Sequence, residues 1–343
     1  MRFLICVVFL SIVLLPGCKT DFEINDDWED ITIVYGLLNS GETTHYIRVQ
    51  KAFLGNASAY DMAQYSDSIL YQQGIHVYME EWKNGSLKKT FDNFEKVYIP
   101  KDSGVFACDN HYVFKTTGAL DASAEYRIFI EKAGKPTVAS STTLLSSFII
   151  QKPSTNELEK IAFYSSDPYT ARWLTCEDGR VYSVAIDFSY WEITATDTVL
   201  KTLSWNDISS VIAPSLASGQ NLYLDIPGTS FLGYVGSMIK DDPTVINRVV
   251  KRKGIDFHFY VGDDNFNTYM QLSMPSTGIV QDKPSFTNIE NGIGLFASRY
   301  SQSVMDKTLT DKTIDSLADG QITHHLKFLD LSATTTYWSM TGE

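Results

Sequence analysis

Along most of the chain apolar and polar residues alternate over short stretches, which is the period of half-buried strands. The clearest case spans 180–194, where Tyr182, Val184, Ile186, Phe188 and Tyr190 share one face and Ser183, Ala185, Asp187 and Ser189 share the other. The runs 31–38 and 45–50 flank Asn39-Ser40-Gly41 and predict a hairpin, and further strands are expected at 75–82, 97–99, 111–115, 125–131 and 137–145. Asn84-Gly85 supplies a tight turn after Trp82. About seven short strands with turns between them predict an immunoglobulin-like β-sandwich over 31–150, with one helical excursion at 58–65. Gln151-Lys152-Pro153-Ser154-Thr155-Asn156 interrupts the pattern and is the expected linker, 151–156.

Beyond it, 157–343 is expected to form a larger antiparallel β-rich domain with a few short helices. Strands are predicted at 180–194, 198–205, 221–226, 255–261 and 322–329, and helices at 229–238, 244–252 and 309–317. Pro243 stands between the first two helices. A second hairpin is expected from 255–261 and 267–273 around Gly262-Asp263-Asp264-Asn265. The fold class is therefore mainly β.

The first eighteen residues break this pattern. Arg2 precedes the apolar run 3–15, and Leu15-Pro16-Gly17 leads into Cys18. Such a run is too short to cross a hydrocarbon core, for which about 20 apolar residues are needed. It is the pattern of a bacterial lipoprotein signal, 1–17, with Cys18 as the acylated residue after cleavage. A plain secretory signal, with Cys18 an ordinary cysteine, is the alternative. Next, 18–30 carries Asp21, Glu23, Asp26, Asp27, Glu29 and Asp30, an acidic tether.

The 343 residues carry 28 Lys+Arg against 41 Asp+Glu, a formal charge of −13. That balance argues against a nucleic-acid partner and against adsorption to anionic headgroups, so the covalent lipid on Cys18 is the expected membrane attachment. Of four cysteines only Cys108 and Cys176 are left to pair with each other, and pairing stays open. Candidate chemistry is sparse. Gly228-Thr229-Ser230-Phe231-Leu232-Gly233 is one residue too long for a nucleophile elbow. Asp263, Asn265 and Asn267 open like a calcium loop, but Thr268 and Met274 stand where Gly and Glu belong. His324 and His325, adjacent on an expected strand, would point to opposite faces, so neither a metal nor a cofactor is expected. Trp82, Trp173, Trp191 and Trp205 either fill the cores or form a sugar-stacking platform.

The lipobox, the acidic tether, Ile33-Val34-Tyr35-Gly36-Leu37-Leu38, the run from His45 to Gly55 and the run from Thr287 to Arg299 together resemble Bacteroidota envelope lipoproteins with an immunoglobulin-like first domain and a larger β-rich second domain. The resemblance implies export to the outer face of the outer membrane, with a periplasmic face as alternative. It carries over no catalytic residues, and it suggests O-glycosylation at Ser68, Thr198 and Ser316. The expectation is a non-enzymatic binding or assembly protein with an envelope protein or glycan as partner. The alternatives are a glycan- or polymer-binding accessory of nutrient uptake and an envelope hydrolase.

Overall fold

A computed structural model describes residues 31–52, 58–100, 102, 104–107, 111–274 and 285–342. Cys18, the signal segment, the tether and Cys108 lie outside the described residues. The first half is built from β1 (Thr32–Asn39), β2 (Thr44–Lys51), α1 (Ala59–Ala63), α2 (Ser66–Ile69), β3 (Ile75–Lys83), β4 (Ser86–Phe91), β5 (Glu95–Tyr98), β6 (Tyr112–Thr117), β7 (Glu125–Lys132) and β8 (Val138–Thr143). The second comprises β9 (Ile149–Lys152), β10 (Lys160–Ile161), β11 (Pro168–Leu174), β12 (Val181–Thr194), β13 (Thr198–Trp205), β14 (Ser210–Ile212), β15 (Asn221–Pro227), α3 (Gly228–Met238), β16 (Val245–Gly262), α4 (Asp264–Ser273), β17 (Gly292–Leu309), α5 (Asp311–Asp319) and α6 (Leu331–Thr341). The protein is mainly β, as the alternation predicts. Asn84 and Gly85 both have positive φ, the conformation that lets a two-residue turn follow the twist of β3 and β4.

One long sheet runs β13-β12-β16-β17-β1-β2-β6-β5, with β10 and β14 at its flanks. A four-stranded sheet, β4-β3-β7-β8, faces its β1–β2–β6 end. Between them lies the first core, where Val34, Leu38, Ile47, Val49 and Phe114 meet Val77, Met79, Tyr126, Ile128 and Ile130. The second core lies between β12–β16 and the three-stranded sheet β15-β11-β9, closed by α3 and α5. The stripe Tyr182, Val184, Ile186, Phe188 and Tyr190 is buried there in full, against Tyr169, Trp173 and Phe231. At about 25 cal/mol per Å² of apolar surface, these two cores are the main source of stability.

The chain passes from one core to the other within a single step, since Leu144 belongs to the first and Leu145 to the second. Gln151 and Lys152, where the linker is expected, instead end β9, which pairs with β11. Polar residues and a proline suit the outer strand of a small sheet as well as they suit a loop. The halves are also joined by parallel pairing of β1 with β17, from Thr32 opposite Gly292 to Asn39 opposite Arg299. Gly294 permits that pairing: its φ is +124°, and a Cβ would stand 2.0 Å from the Val34 carbonyl oxygen. No L residue fits both conditions.

Three elements differ from expectation. Residues 244–252, expected as a helix, form the first half of β16, because the spacing of Val245, Val249 and Val250 serves either period and ladder bonds to β12 decide for the strand. Residues 267–273, expected as a strand, lie in α4, started by the Asp263 side chain accepting from the Phe266 N–H. Residues 322–329 hold a 3₁₀ turn at His324–Leu326 rather than a strand. The terminal helix α6 was not apparent from periodicity, because its run of Ser and Thr carries little apolar pattern.

Candidate binding cleft at the seam of the two halves

The alternation that sends Val34 and Leu38 of β1 into the first core turns Tyr35 and Leu37 to the opposite face. On β2 the same rule turns Tyr46 and Arg48 outward, with Arg48 directly opposite Tyr35. On β17, Leu295 lies beside Tyr35 and Arg299 beside Asn39. Helix α4 stands over this face and contributes Phe266 and Tyr269. The result is a cleft of about 610 Å³ whose floor is β17–β1–β2 and whose wall is α4. Its size is in the range of small-molecule sites.

A chain of hydrogen bonds fixes the wall to the floor. Asp263, buried at the start of α4, accepts from the Phe266 N–H at 2.8 Å and from the Ser298 N–H of β17 at 2.7 Å. The Ser298 hydroxyl accepts from the Leu145 N–H at 2.7 Å, and the Ser40 hydroxyl donates to the Leu145 carbonyl at 2.7 Å. One polar line therefore connects α4, β17, the point where the chain changes cores and the β1–β2 turn. Burial pushes the Asp263 carboxyl above its ordinary value, against the pull of the two amides. At Gly262 a Cβ would stand 2.3 Å from the Phe266 ring, so glycine lets that ring fold back against the strand end.

The electrostatics of the lining are unbalanced toward positive charge. Arg299 Nη2 lies 3.2 Å from Glu42 Oε1, which also accepts from Asn39 Nδ2 at 2.8 Å. The Arg48 side chain makes no hydrogen bond or ion pair among the described residues. The Nε atoms of Arg48 and Arg299 are both buried without an acceptor. The Tyr269 hydroxyl donates to that of Tyr35 at 3.2 Å, and their rings meet edge to face at 5.9 Å. Burial, and then the bond to Tyr269, pushes the Tyr35 phenol up to about 12, while the Arg48 charge pulls it down. The Tyr35 phenol is therefore a neutral donor and acceptor at physiological pH. Tyr46 is 47 % exposed and offers a free ring face. His45, on the other side of β2, is buried with Nε2 2.9 Å from the Gly118 carbonyl oxygen.

A second cleft of about 1030 Å³ lies beside β10 and α6. Its charges are largely neutralised: Lys160 pairs with Asp311 at 2.7 Å, Lys253 with Glu157 at 3.3 Å, and Lys251 Nζ donates to the Lys253 carbonyl. Elsewhere, His258 lies 2.8 Å from the Ser303 hydroxyl and 3.2 Å from Asp187 Oδ2, on the outer face of β12–β16–β17. The neighbouring strand amides are occupied in the ladder, so this flat surface presents no paired N–H donors for an oxyanion.

Of the residues singled out in the sequence, Asp263 lies at the seam as the cap of α4, whereas Ser230, the tryptophans and the histidine pair lie elsewhere. Ser230 is exposed on α3, and Gly228 is required by packing, with a Cβ 2.7 Å from the Phe163 backbone. Trp173 and Trp205 are buried in the second core, Trp82 lies under the Arg127 guanidinium, and Trp191 is half-buried. The aromatic faces of the cleft are tyrosines and a phenylalanine instead. The rings of His324 and His325 meet edge to face at 5.9 Å in a tight turn, not on opposite faces of a strand. Among the described residues no group of three His, Cys, Asp or Glu side chains is placed to hold a metal. Cys176 is a free, buried thiol whose pKa is pushed up by burial, which leaves it little nucleophilic. Ser68 lies in α2, Thr198 is exposed on β13, and Ser316 donates to the Lys312 carbonyl within α5. Among the described residues no helix is long and apolar enough to cross a membrane.

No family model matches the chain, and no curated protein matches it. Among solved structures it aligns with the C-terminal globular domain of an oligosaccharyltransferase from Pyrococcus abyssi, at 10 % identity and a TM-score of 0.23. The alignment covers 67 % of this chain and 47 % of that one, so the chain spans about half the length of that structure. A likeness of that size carries no argument about function.

Proposed function

We propose that the protein is a lipid-anchored binding protein of the outer membrane, held by acyl chains on Cys18, and that the seam cleft is its ligand site. The observation that supports the binding role is the half-buried Arg48 guanidinium, which has no acceptor among the described residues and lines the edge of a tyrosine-lined floor. An anion that enters the cleft can pair with such a guanidinium through charge-assisted hydrogen bonds. The lining offers donors, one carboxylate and stacking faces, which suits recognition rather than turnover. The anchor rests on the pattern Leu15-Pro16-Gly17-Cys18, and the acidic tether supports presentation at the cell exterior.

Membrane fractionation of wild type against Cys18→Ala tests the anchor. The wild type is expected in the membrane fraction and the variant free of it; equal membrane recovery would sink the lipid anchor. Protease treatment of intact cells should remove the protein, whereas protection until lysis would place it on the periplasmic face.

A further inference from the structure

We infer that the seam cleft takes a carboxylate-bearing saccharide, with the acid group on Arg48 and the sugar ring against Tyr46 and Tyr35. The inference rests on the assignment of the cleft as the ligand site and adds the chemical class of the ligand. Four features of the lining carry it.

The first is charge. The whole chain is strongly acidic, yet this cleft holds Arg48 and Arg299 against the one carboxylate of Glu42. An anion is drawn to this place and repelled by most of the remaining surface. The second is the state of Arg48. Its guanidinium is planar, the side chain is half-buried in the cleft lining and no described residue accepts from it, so its two Nη groups can meet a carboxylate in bidentate fashion. The third is the direction imposed by Glu42. It stands at the Arg299 end, where it repels an acid group and accepts hydroxyl protons, while the Arg48 end has no carboxylate in its lining. A ligand with an acid at one end and hydroxyls at the other satisfies both ends; an aromatic acid satisfies only one. The fourth is the floor. Tyr46 presents an open ring face, and the Tyr35 and Tyr269 hydroxyls offer hydrogen bonds to a sugar.

The strand register sets the span. Arg48 is opposite Tyr35 on one side of β1 and Arg299 is beside Asn39 on the other. Four residues along the strand and two strand spacings across put their Cα atoms roughly 16 Å apart. That diagonal, over a floor open to solvent, favours a short stretch of an acidic polysaccharide over a single enclosed ring.

The test is calorimetric titration of the full mature chain in detergent with oligomers of galacturonate, mannuronate, glucuronate-containing glycosaminoglycan and polysialate, beside their neutral or methyl-esterified counterparts, benzoate and inorganic phosphate. At least one acidic oligomer is expected to bind. Its methyl ester should bind at least 10-fold more weakly, and affinity should fall as salt rises. Arg48→Met and Tyr46→Ala should each cost at least 10-fold, with thermal unfolding unchanged as the control for folding. Equal binding of ester and acid would overturn the carboxylate assignment. Binding of benzoate or phosphate without any saccharide would overturn the sugar assignment, while leaving the cleft as the ligand site. Acidic-oligomer binding untouched by both substitutions would refute the cleft itself, and no binding across the panel would overturn the inference.

Discussion

Arg248 and Arg48 belong to the same ten-stranded sheet and stand in opposite situations. Arg248, 1 % exposed on β16, pairs with Glu192 at 2.8 Å and donates to the Leu326 and Lys240 carbonyls at 2.7 and 3.1 Å. Its guanidinium is used up in tying β16 to the segments before and after it. Arg48, on β2, has a buried Nε and no described acceptor at all. A similar contrast separates the two clefts: in the larger, Lys160 and Lys253 are ion-paired, whereas in the smaller Arg299 is paired with Glu42 and Arg48 has no described acceptor. Unspent hydrogen-bonding capacity, rather than volume, is what the proposed ligand site at the seam rests on.

Three substitutions sharpen that contrast. Arg248→Met should have the largest effect on stability, about 3 kcal/mol, because Glu192 and two carbonyls lose their donor in a low-dielectric setting. Urea unfolding measures it, and a loss below about 1 kcal/mol would put Arg248 in the same class as Arg48.

Asp263→Asn should cost about 1–2 kcal/mol, because the amide NH₂ replaces one of the oxygens that now accept from the Phe266 and Ser298 N–H groups. The effect depends on pH in a definite direction. The folded-state pKa of Asp263 is raised, so the folded protein holds this proton more tightly than the unfolded chain does. The stability it contributes is present below the ordinary value of 3.8 and is lost as pH rises through the raised value. The advantage of wild type over the variant should therefore narrow as pH rises above about 4. An advantage that grows with pH would contradict burial as the dominant influence on this carboxyl.

Arg48→Met should cost stability least, a loss of no more than about 0.5 kcal/mol or a gain, since no described group loses a partner and a buried donor without an acceptor is removed. A loss as large as that of Arg248→Met would show that Arg48 is structural and would erase the contrast.

The parts of the fold that could be read from residue order are those whose signal is local. The stripe from Tyr182 to Tyr190 and the Asn84-Gly85 turn were legible because the side-chain period and the positive φ are written within a few positions. Residues 244–252 and 267–273 were misread because their apolar spacing serves two periods, and a ladder partner in one case and a cap in the other made the choice. The cleft was the least legible feature. Its floor requires residues 32–39 to lie parallel to 292–299, and nothing local encodes a pairing over that separation. The one available signal was Tyr46 and Arg48 on the polar face of a strand, which by itself describes an ordinary solvated edge.

The sequence by itself determined a mainly β chain, a short apolar run before Cys18 with an acidic stretch behind it, and a net negative charge, because each depends on which residues follow one another. Tertiary structure alone decided that the two halves share one sheet through β1 and β17, that α4 stands over that junction, and that the Arg48 guanidinium has no acceptor there among the described residues. Those facts depend on burial and on contacts between distant segments, and a guanidinium becomes a binding group only when the fold withholds an acceptor from it.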